Sequence, residues 1–489
     1  MSISHKVPGA SVGKVRVNLG RRFRYPFSSA IISGLWIILE ALLVLGIGFA
    51  TYYGMIEWRA SVHEYYVSAI CFVTLMSFLL AHFAGLYQFS AIMRPIEYSD
   101  KVVVVFGTAF LLLLAIAFSL KVSDTFSRRW IYTFAFSACA ATIVFRLAGY
   151  AAIQKLSRAG ICVRNVAILG GGEQGKRLLA HIARTDPAFI NVIGVFDDRM
   201  QRIGPTVEGC PVLGNMDQLI DFSRKNRIDD VVVALPWSAD ERLAGIVNKL
   251  RELPVNIHLG TDLAGFRFNC RSAPSHFDQV PVVEVMNTPM SGWNVVWKTL
   301  EDKILGFLIS LAFFPIMLLV ALAIKLEDPG PVFFRQKRFG FNNKAFYIYK
   351  FRSMYANPVA EDVTVQATRG DPRITRVGRF IRRTSLDELP QLLNVLNGTM
   401  SLVGPRPHAI DHNEEYAKKI GGYFARHRVK PGMTGWAQVN GWRGETDTLD
   451  KMEARVQHDV YYAENWSVLF DLKILVMTAY VTWLGKNAY

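Results

Sequence analysis

The sequence predicts a membrane protein of mixed class, membrane α plus α/β. It is expected to have four N-terminal transmembrane helices, a Rossmann-like α/β domain, and a C-terminal, mainly α domain with a re-entrant membrane helix. Three observations predict this. Four apolar runs of about bilayer length succeed one another before residue 153. A short strand, a glycine-rich turn and a helix follow. A fifth apolar run, broken by a proline at its middle, then introduces a strongly basic segment. At 489 residues the chain is too long for one ordinary domain, and at 51% hydrophobic residues it is too apolar for a wholly soluble one.

The chain opens on a basic tail, residues 1–25, with Lys6, Lys14, Arg16, Arg21, Arg22 and Arg24 and no acidic residue. The apolar run behind it is too long for the core of a cleaved signal peptide, so the tail is expected on the cytoplasmic side. Within residues 26–153 the four spans are placed at about Ala30 to Ile56, Tyr65 to Leu86, Val102 to Leu120 and Trp130 to Ala152. Glu40 and Arg146 fall inside the first and last of these. An unpaired charge is costly there, so an interhelical pair is expected. An even number of spans returns the chain to the cytoplasm.

Residues 160–285 read as soluble α/β. Asn165 to Leu169 is a buried strand, Gly170-Gly-Gly172-Glu-Gln-Gly175 a glycine turn, and Lys176 to Ala183 a helix, with further strands at Val192 to Phe196 and Asp230 to Leu235. That context makes the G-x-G-x-x-G pattern meaningful, and Asp197 or Asp198 stands about 20 residues on, where a ribose ligand is expected. Gly170, Gly172 and Gly175 are therefore candidate nucleotide-binding positions, and a purely structural or regulatory domain is the alternative. The Tyr-x-x-x-Lys couple of short-chain dehydrogenases is absent throughout, which argues against an NAD-dependent oxidoreductase.

A linker (Arg271 to Gln279, then Met290 to Trp293) leads to the apolar run Ile304 to Ile324, interrupted at Phe313-Phe314-Pro315. Each half of about 11 residues reaches only mid-bilayer. Proline removes a donor and bends a helix, so the run is expected to enter the membrane and return to the same face. A hairpin-like segment follows, Val332 to Gly340 returning through Phe346 to Arg352. Between Arg335 and Lys430 there are 18 Lys and Arg against 8 Asp and Glu, a balance suited to phosphates or an anionic membrane surface. The formal charge of +15 points the same way. No zinc-finger or basic-zipper spacing occurs, so nucleic acid is not an expected partner. Five scattered cysteines support neither a disulfide framework nor a zinc site. Val468 to Leu484 closes the chain as a membrane-interface helix or a core helix.

The chemistry is expected between Arg382 and Pro407. Asp387 and Glu388 stand adjacent at the start of a Leu-rich helical run, with Arg382 and Arg383 before them and Arg406 after. Ser385-x-x-Glu388 is also a capping box, and acids in a first turn answer the helix dipole. Against that, neighbouring helical residues point about 100° apart, so the two carboxylates are free to hold different partners. Pro390 also pushes the helix start toward Leu389, leaving both acids on an irregular lead-in. Gly404-Pro405-Arg406-Pro407 presents a guanidinium on a rigid bend, suited to a phosphate.

Five ordered motifs complete the reading: Ile-Lys-Leu-Glu-Asp-Pro-Gly-Pro-Val-Phe-Phe (324 to 334), Tyr-Lys-Phe-Arg-Ser-Met (349 to 354), Ser-Leu-Asp-Glu-Leu-Pro-Gln (385 to 391), Ser-Leu-Val-Gly-Pro-Arg-Pro (401 to 407) and Lys-Pro-Gly-Met-Thr-Gly (430 to 435). This set closely resembles the bacterial sugar transferase family, the monotopic phosphoglycosyl transferases that begin polysaccharide synthesis on undecaprenyl phosphate. The four-span and Rossmann-like (CoA-binding-like) regions look like the long members of that family. Gly-Trp-Arg-Gly-Glu-Thr (441 to 446) and the Lys-Asn-Ala-Tyr ending resemble the branch that uses glucose.

The resemblance implies that residues 296–489 are the catalytic domain, with re-entrant helix 304–324. It implies a two-step reaction with Asp387 and Glu388 as catalytic residues, in which Asp387 attacks the sugar-bearing phosphorus of a UDP-sugar and expels UMP. Undecaprenyl phosphate then takes the phosphosugar. Mg2+ would sit on the Asp387 and Glu388 side, with Lys350, Arg352, Arg382 and Arg406 gathering phosphate charge. The implied setting is the bacterial inner membrane, with the catalytic domain cytoplasmic, membrane lipid as a partner and a homodimer compatible with the sequence. Galactose is the alternative sugar, and a non-catalytic assembly scaffold the alternative role. Where the family break reads Ser-Pro, this chain has Phe314-Pro315, which removes a hydroxyl able to satisfy a freed carbonyl.

Overall fold

The computed structural model describes residues 28–56, 60–160, 163–185, 189–238, 240–260, 282–356, 371–408, 410–442 and 448–484. The basic tail, the first half of the linker, Cys162, Cys270, residues 443–446 and the chain ending fall outside the described residues. By its internal contacts the chain divides into two compact units, one built on the N-terminal helices and one holding most of the sheet together with the C-terminal domain.

The first unit contains α1 (Ser29–Met55), α2 (Ala60–Phe83), the short α3 (Phe89–Ile92), α4 (Ser99–Ser119) and α5 (Arg128–Arg158). Its interior is apolar and aromatic, with Trp130, Phe134, Tyr52 and Ile70 fully buried. Leu39, Leu42, Val104, Leu111 and Phe136 point outward, a surface that water does not favour over long stretches. The expected pair forms: an Arg146 guanidinium nitrogen lies 2.9 Å from Glu40 Oε2, and Arg146 also donates to the Leu86 carbonyl at 3.2 Å. Among the described residues α1, residues 63–83 of α2, α4, α5 and the later helix Trp293–Glu327 are long and apolar enough to cross a membrane.

The α/β part orders its strands β3-β4-β2-β1-β5-β6-β7. These are β1 (Arg164–Leu169), β2 (Ile190–Phe196), β3 (Thr206–Val207), β4 (Cys210–Gly214), β5 (Asp230–Val233), β6 (Asn256–Gly260) and β7 (Val282–Met286). The pairs β1/β5, β5/β6 and β2/β4 are parallel, while β3 and β7 run antiparallel at the two edges, so the sheet is mixed. Every residue of β1 and β5 is buried, and after the polar starts Arg164-Asn165 and Asp230 both are apolar. Helices α6 (Glu173–Thr185), α7 (Met200–Ile203), α8 (Met216–Lys225) and α9 (Asp240–Leu250) connect the strands. The turn into α6 needs its glycines: Gly170 sits at φ +110°, and a Cβ on Gly175 would lie 2.1 Å from the Gly170 carbonyl oxygen.

The C-terminal domain begins with α10 (Trp293–Glu327), a helix longer than the expected 304–324, with Pro315 inside it. Its two flanks bury matching faces, Asp302 and Gly306 on one side of the proline and Val320 and Ile324 on the other, while residues 311–316 are exposed all round. The hairpin β8 (Phe333–Phe339) and β9 (Ala345–Phe351) forms in the expected place, then α11 (Arg376–Arg383), a single 3-10 turn Leu386–Glu388, and α12 (Gln391–Asn397). Next come β10 (Ser401–Val403), α13 (Ile410–Lys419), a 3-10 segment Tyr423–Arg428, β11 (Gly432–Thr434), α14 (Trp436–Val439), α15 (Leu449–Glu464) and α16 (Val468–Leu484). Helix α16 packs its inner face in the core, where Asp471 accepts from Tyr462 and Trp466 and pairs with Lys298. Leu469, Val476 and Tyr480 face outward.

Candidate active site

Asp387 and Glu388 lie on the 3-10 turn, ahead of α12, because Pro390 occupies the N-cap position of that helix and its missing N–H fits only at a helix start. The turn is entered through Ser385, a non-glycine residue in the left-handed region at φ +57°. The capping box is not made, since no side-chain cap bond forms at Ser385 and the Glu388 carboxylate is engaged elsewhere. Lys350 on β9 donates to Glu388 Oε1 at 2.9 Å, and Arg406 grips both its oxygens at 2.6 and 3.2 Å.

Adjacent in sequence, the two acids are electrostatically opposite. Burial raises the pKa of Glu388, but Arg406 and Lys350 outweigh it and hold the carboxyl well below its ordinary range. Among the described residues Asp387 has no such clamp. Burial first, and the Glu388 charge beside it, push its carboxyl up to about 6 against the pull of Lys350, Arg382 and Arg406. Arg338 on β8 joins the same field: burial and the Arg406 charge draw its pKa down to about 10, while Glu388 draws it up. Four cations face two carboxylates, an excess of two positive charges suited to a diphosphate.

Of the expected phosphate-binding residues, Lys350 and Arg406 converge on Glu388, and Arg382, at the end of α11, faces Asp387 through its charge. Arg352 is placed differently. It is buried and bonded to the Asp328 carboxylate at 2.9 Å and to the Asp328 carbonyl, strapping β9 to the end of α10. Glu327 accepts from the first amides of α11, at Arg376 (2.6 Å) and Val377 (2.9 Å). The Leu-Glu-Asp-Pro motif is therefore a structural joint. In the Rossmann-like part, Asp197 accepts from the Gly171 amide at 2.8 Å and from Arg199, so this acid braces the glycine turn. Gly170, Gly172 and Gly175 all lie on that turn.

Arg406 is held from behind by a cluster that sequence reading missed. Fully buried Arg426 donates to the Arg406 carbonyl at 2.7 Å and pairs with Asp459 at 2.8 Å. The Tyr423 hydroxyl donates to Asn413 at 2.6 Å and lies 2.7 Å from His408 Nδ1, while an Arg426 guanidinium nitrogen sits 2.6 Å from that Nδ1 and 3.0 Å from Nε2. Burial, then the charges of Arg426 and Arg455, depress the His408 pKa well below its usual value, keeping the ring neutral. The signal that could have found this cluster was His408 directly after the Pro-Arg-Pro bend.

The motif glycines serve close approach. A Cβ on Gly404 would lie 2.4 Å from the Lys430 carbonyl, and one on Gly432 2.1 Å from the Gly404 amide, so only glycine lets β10 and β11 interlock beneath Arg406. Among the described residues no group of three or more His, Cys, Asp or Glu side chains is arranged to hold a metal. Glu388 is occupied by two cations, which leaves Asp387 as the carboxylate available to one. Mg2+ is commonly bound by one or two carboxylates with substrate phosphates and water, and that donor set fits here.

Residues 293–485 match the family model for bacterial sugar transferase, and residues 82–260 that for a CoA-binding domain. The chain is 44% identical over 327 residues to the UDP-glucose:undecaprenyl-phosphate glucose-1-phosphate transferase of Escherichia coli, covering 67% of this chain and 69% of that one. It is 36% identical to the protein of the same name in Klebsiella pneumoniae, covering 96% and 99%. The undecaprenyl-phosphate galactose phosphotransferase of Salmonella typhimurium is 32% identical, covering 68% and 71%. This chain belongs to the bacterial sugar transferase family.

Proposed function

We propose that this protein transfers glucose 1-phosphate from UDP-glucose to undecaprenyl phosphate, releasing UMP, as the first step of exopolysaccharide or capsule synthesis. The observation that carries the reading is the division of labour between adjacent acids. Glu388 is fixed by Lys350 and Arg406, while Asp387 stands in the same positive field without a clamp and with its pKa raised. A carboxylate held this way is a nucleophile. Asp387 attacks the phosphorus bearing the sugar, the bond to the UMP oxygen breaks, and a phosphosugar aspartate forms.

Lys350, Arg382, Arg406 and Arg338 offset the diphosphate charge during attack, and Glu388 keeps two of them aligned. Mg2+, when bound, adds charge neutralisation at the transferring phosphoryl group. The binding of UDP-glucose and undecaprenyl phosphate is supported by the names of the relatives at 36–44% identity. Galactose is the second reading, favoured by the galactose phosphotransferase relative.

The four N-terminal spans and the bacterial inner membrane fit this role, with the carboxylate pair on the cytoplasmic side where nucleotide sugars occur. A re-entrant α10 is supported by its two buried flanks on either side of the exposed stretch 311–316. Such a wedge sets Asp387 at headgroup height. The test is UMP release by purified protein in detergent, with undecaprenyl phosphate and a panel of UDP-sugars. Release is expected from UDP-glucose, with UDP-galactose slower. Transfer that continues unchanged in Asp387→Asn would overturn the covalent route.

A further inference from the structure

Helix α10 ends on two consecutive acids that hold two different elements. Glu327, its last residue, accepts from the first two amides of α11, Arg376 at 2.6 Å and Val377 at 2.9 Å. A helix start leaves these donors without a partner of its own, and the Thr375 hydroxyl oxygen takes the next one, from Gly378, at 2.8 Å. Asp328 serves the other element. Its carboxylate accepts from Arg352 at 2.9 Å and from the Ala356 amide at 2.8 Å, and its carbonyl accepts from the same guanidinium. The link that follows is stiff, because Pro329 and Pro331 fix φ on either side of Gly330. A Cβ on Gly330 would lie 2.4 Å from the Arg352 guanidinium, so the glycine leaves the space which that group fills.

Each held element carries one cation of the active site. Helix α11 is seated on α10 by Val377 and Ile381, which pack with Val320 and Ile324, and the next residue is Arg382, whose charge acts on Asp387. Its eight residues span only about 12 Å, so a start pinned by Glu327 fixes where the last turn lies. Strand β9 brings Lys350 to Glu388 at 2.9 Å, two residues before Arg352. Arg352 is itself buried, and its amide donates to the Val332 carbonyl at 2.9 Å.

We propose that Glu327 and Asp328 are positioning residues for the transfer, Glu327 setting Arg382 through α11 and Asp328 setting Lys350 through Arg352 and β9. The inference rests on the transferase reading above and adds how the end of the membrane helix places the cations that gather the diphosphate charge. Preorganised charge is effective only where it is aimed at the reacting phosphorus, and a displacement of about 1 Å can cost about 100-fold in rate. The two acids thus work along separate arms, and that separation is what a purely structural joint would lack.

The test uses double-mutant cycles on the full-length protein in nanodiscs. Glu327→Gln and Asp328→Asn are each expected to lower kcat/KM for UMP release from UDP-glucose about tenfold. In an Arg382→Gln background Glu327→Gln should cost less than about twofold more, and in a Lys350→Gln background the same should hold for Asp328→Asn, whereas the crossed pairs should add. Glu327→Asp, which keeps the charge on a shorter arm, should retain more activity than Glu327→Gln. Hydrogen exchange read by mass spectrometry needs no turnover: Glu327→Gln should speed exchange at the start of α11 and Asp328→Asn at residues 352–356, each leaving the other segment protected. Losses that add in all four pairs, or exchange that rises across the whole domain in both variants, would make the joint a general scaffold and overturn the proposal. If the unaltered protein releases no UMP while the exchange pattern is as expected, it is the transferase reading that fails.

Discussion

Asp387 and Glu388 differ by one backbone step and by almost everything that sets a carboxylate's behaviour. The nucleophile must be ionised, so UMP release should fall as pH drops through about 6, the value to which burial and Glu388 push Asp387, and level off above it. Glu388→Gln removes a like charge and releases Lys350 and Arg406, and both changes favour ionised Asp387. The acid limb should therefore move to lower pH while kcat falls by about tenfold or more, because the cations are no longer aligned. A limb that stays at about 6 in this variant would separate the two acids.

The sign for stability is opposite. A carboxyl whose pKa is raised on folding contributes stability below its unfolded value that is lost as pH rises toward 6. Asp387→Asn should then abolish UMP release yet raise the thermal midpoint at pH 7. The gain should be about 1–2 kcal/mol after discounting the shift for solvent screening. A variant that is both inactive and less stable would mean that Asp387 is structural. The acidic pair and its place ahead of the helix were legible in sequence, because Pro390 restricts the local backbone, whereas Lys350 and Arg406 were expected on phosphate and their grip on Glu388 was not foreseen. The roles of Arg352 and Arg426 were not legible either, because each depends on a partner distant in sequence: Asp328 for one, Asp459 and the Arg406 carbonyl for the other.

At the level of elements, periodicity and length placed the apolar helices, β1, β2, β5 and the β8/β9 hairpin within a few residues. Pairs made by short strands were invisible: β10 and β11 have three residues each, too few for a pattern, and they are revealed only by the interlocking of Gly404 and Gly432. Helix α10 is where length misleads. Its 35 residues exceed a bilayer's needs, yet burial on both flanks of an exposed proline fits a wedge that returns. Single cysteines at Leu300 and Leu326, both exposed, in a cysteine-free background should label from the same side of the membrane in intact cells. Labelling from opposite sides would make α10 an ordinary span.

At the scale of the whole molecule, several side chains tie the α/β part to the catalytic part. Asn342 donates to the Ser223 carbonyl at 2.9 Å, Arg224 lies 5.4 Å over the Phe424 ring, and Arg428 donates to the Asn287 carbonyl at 2.9 Å. None of these residues holds Asp387 or Glu388. A protein lacking residues 1–285 should keep measurable transfer, reduced by less than about tenfold, with a lower thermal midpoint from the lost α8 contact. A folded truncation with no turnover at any substrate level would place part of the active site in the front half. Most direct for the covalent claim is intact-protein mass spectrometry after incubation with UDP-glucose without acceptor. The account predicts an added glucose phosphate on the peptide containing Asp387, discharged by undecaprenyl phosphate and absent in Asp387→Asn; an unmodified protein that still transfers glucose phosphate once the lipid is added would contradict it.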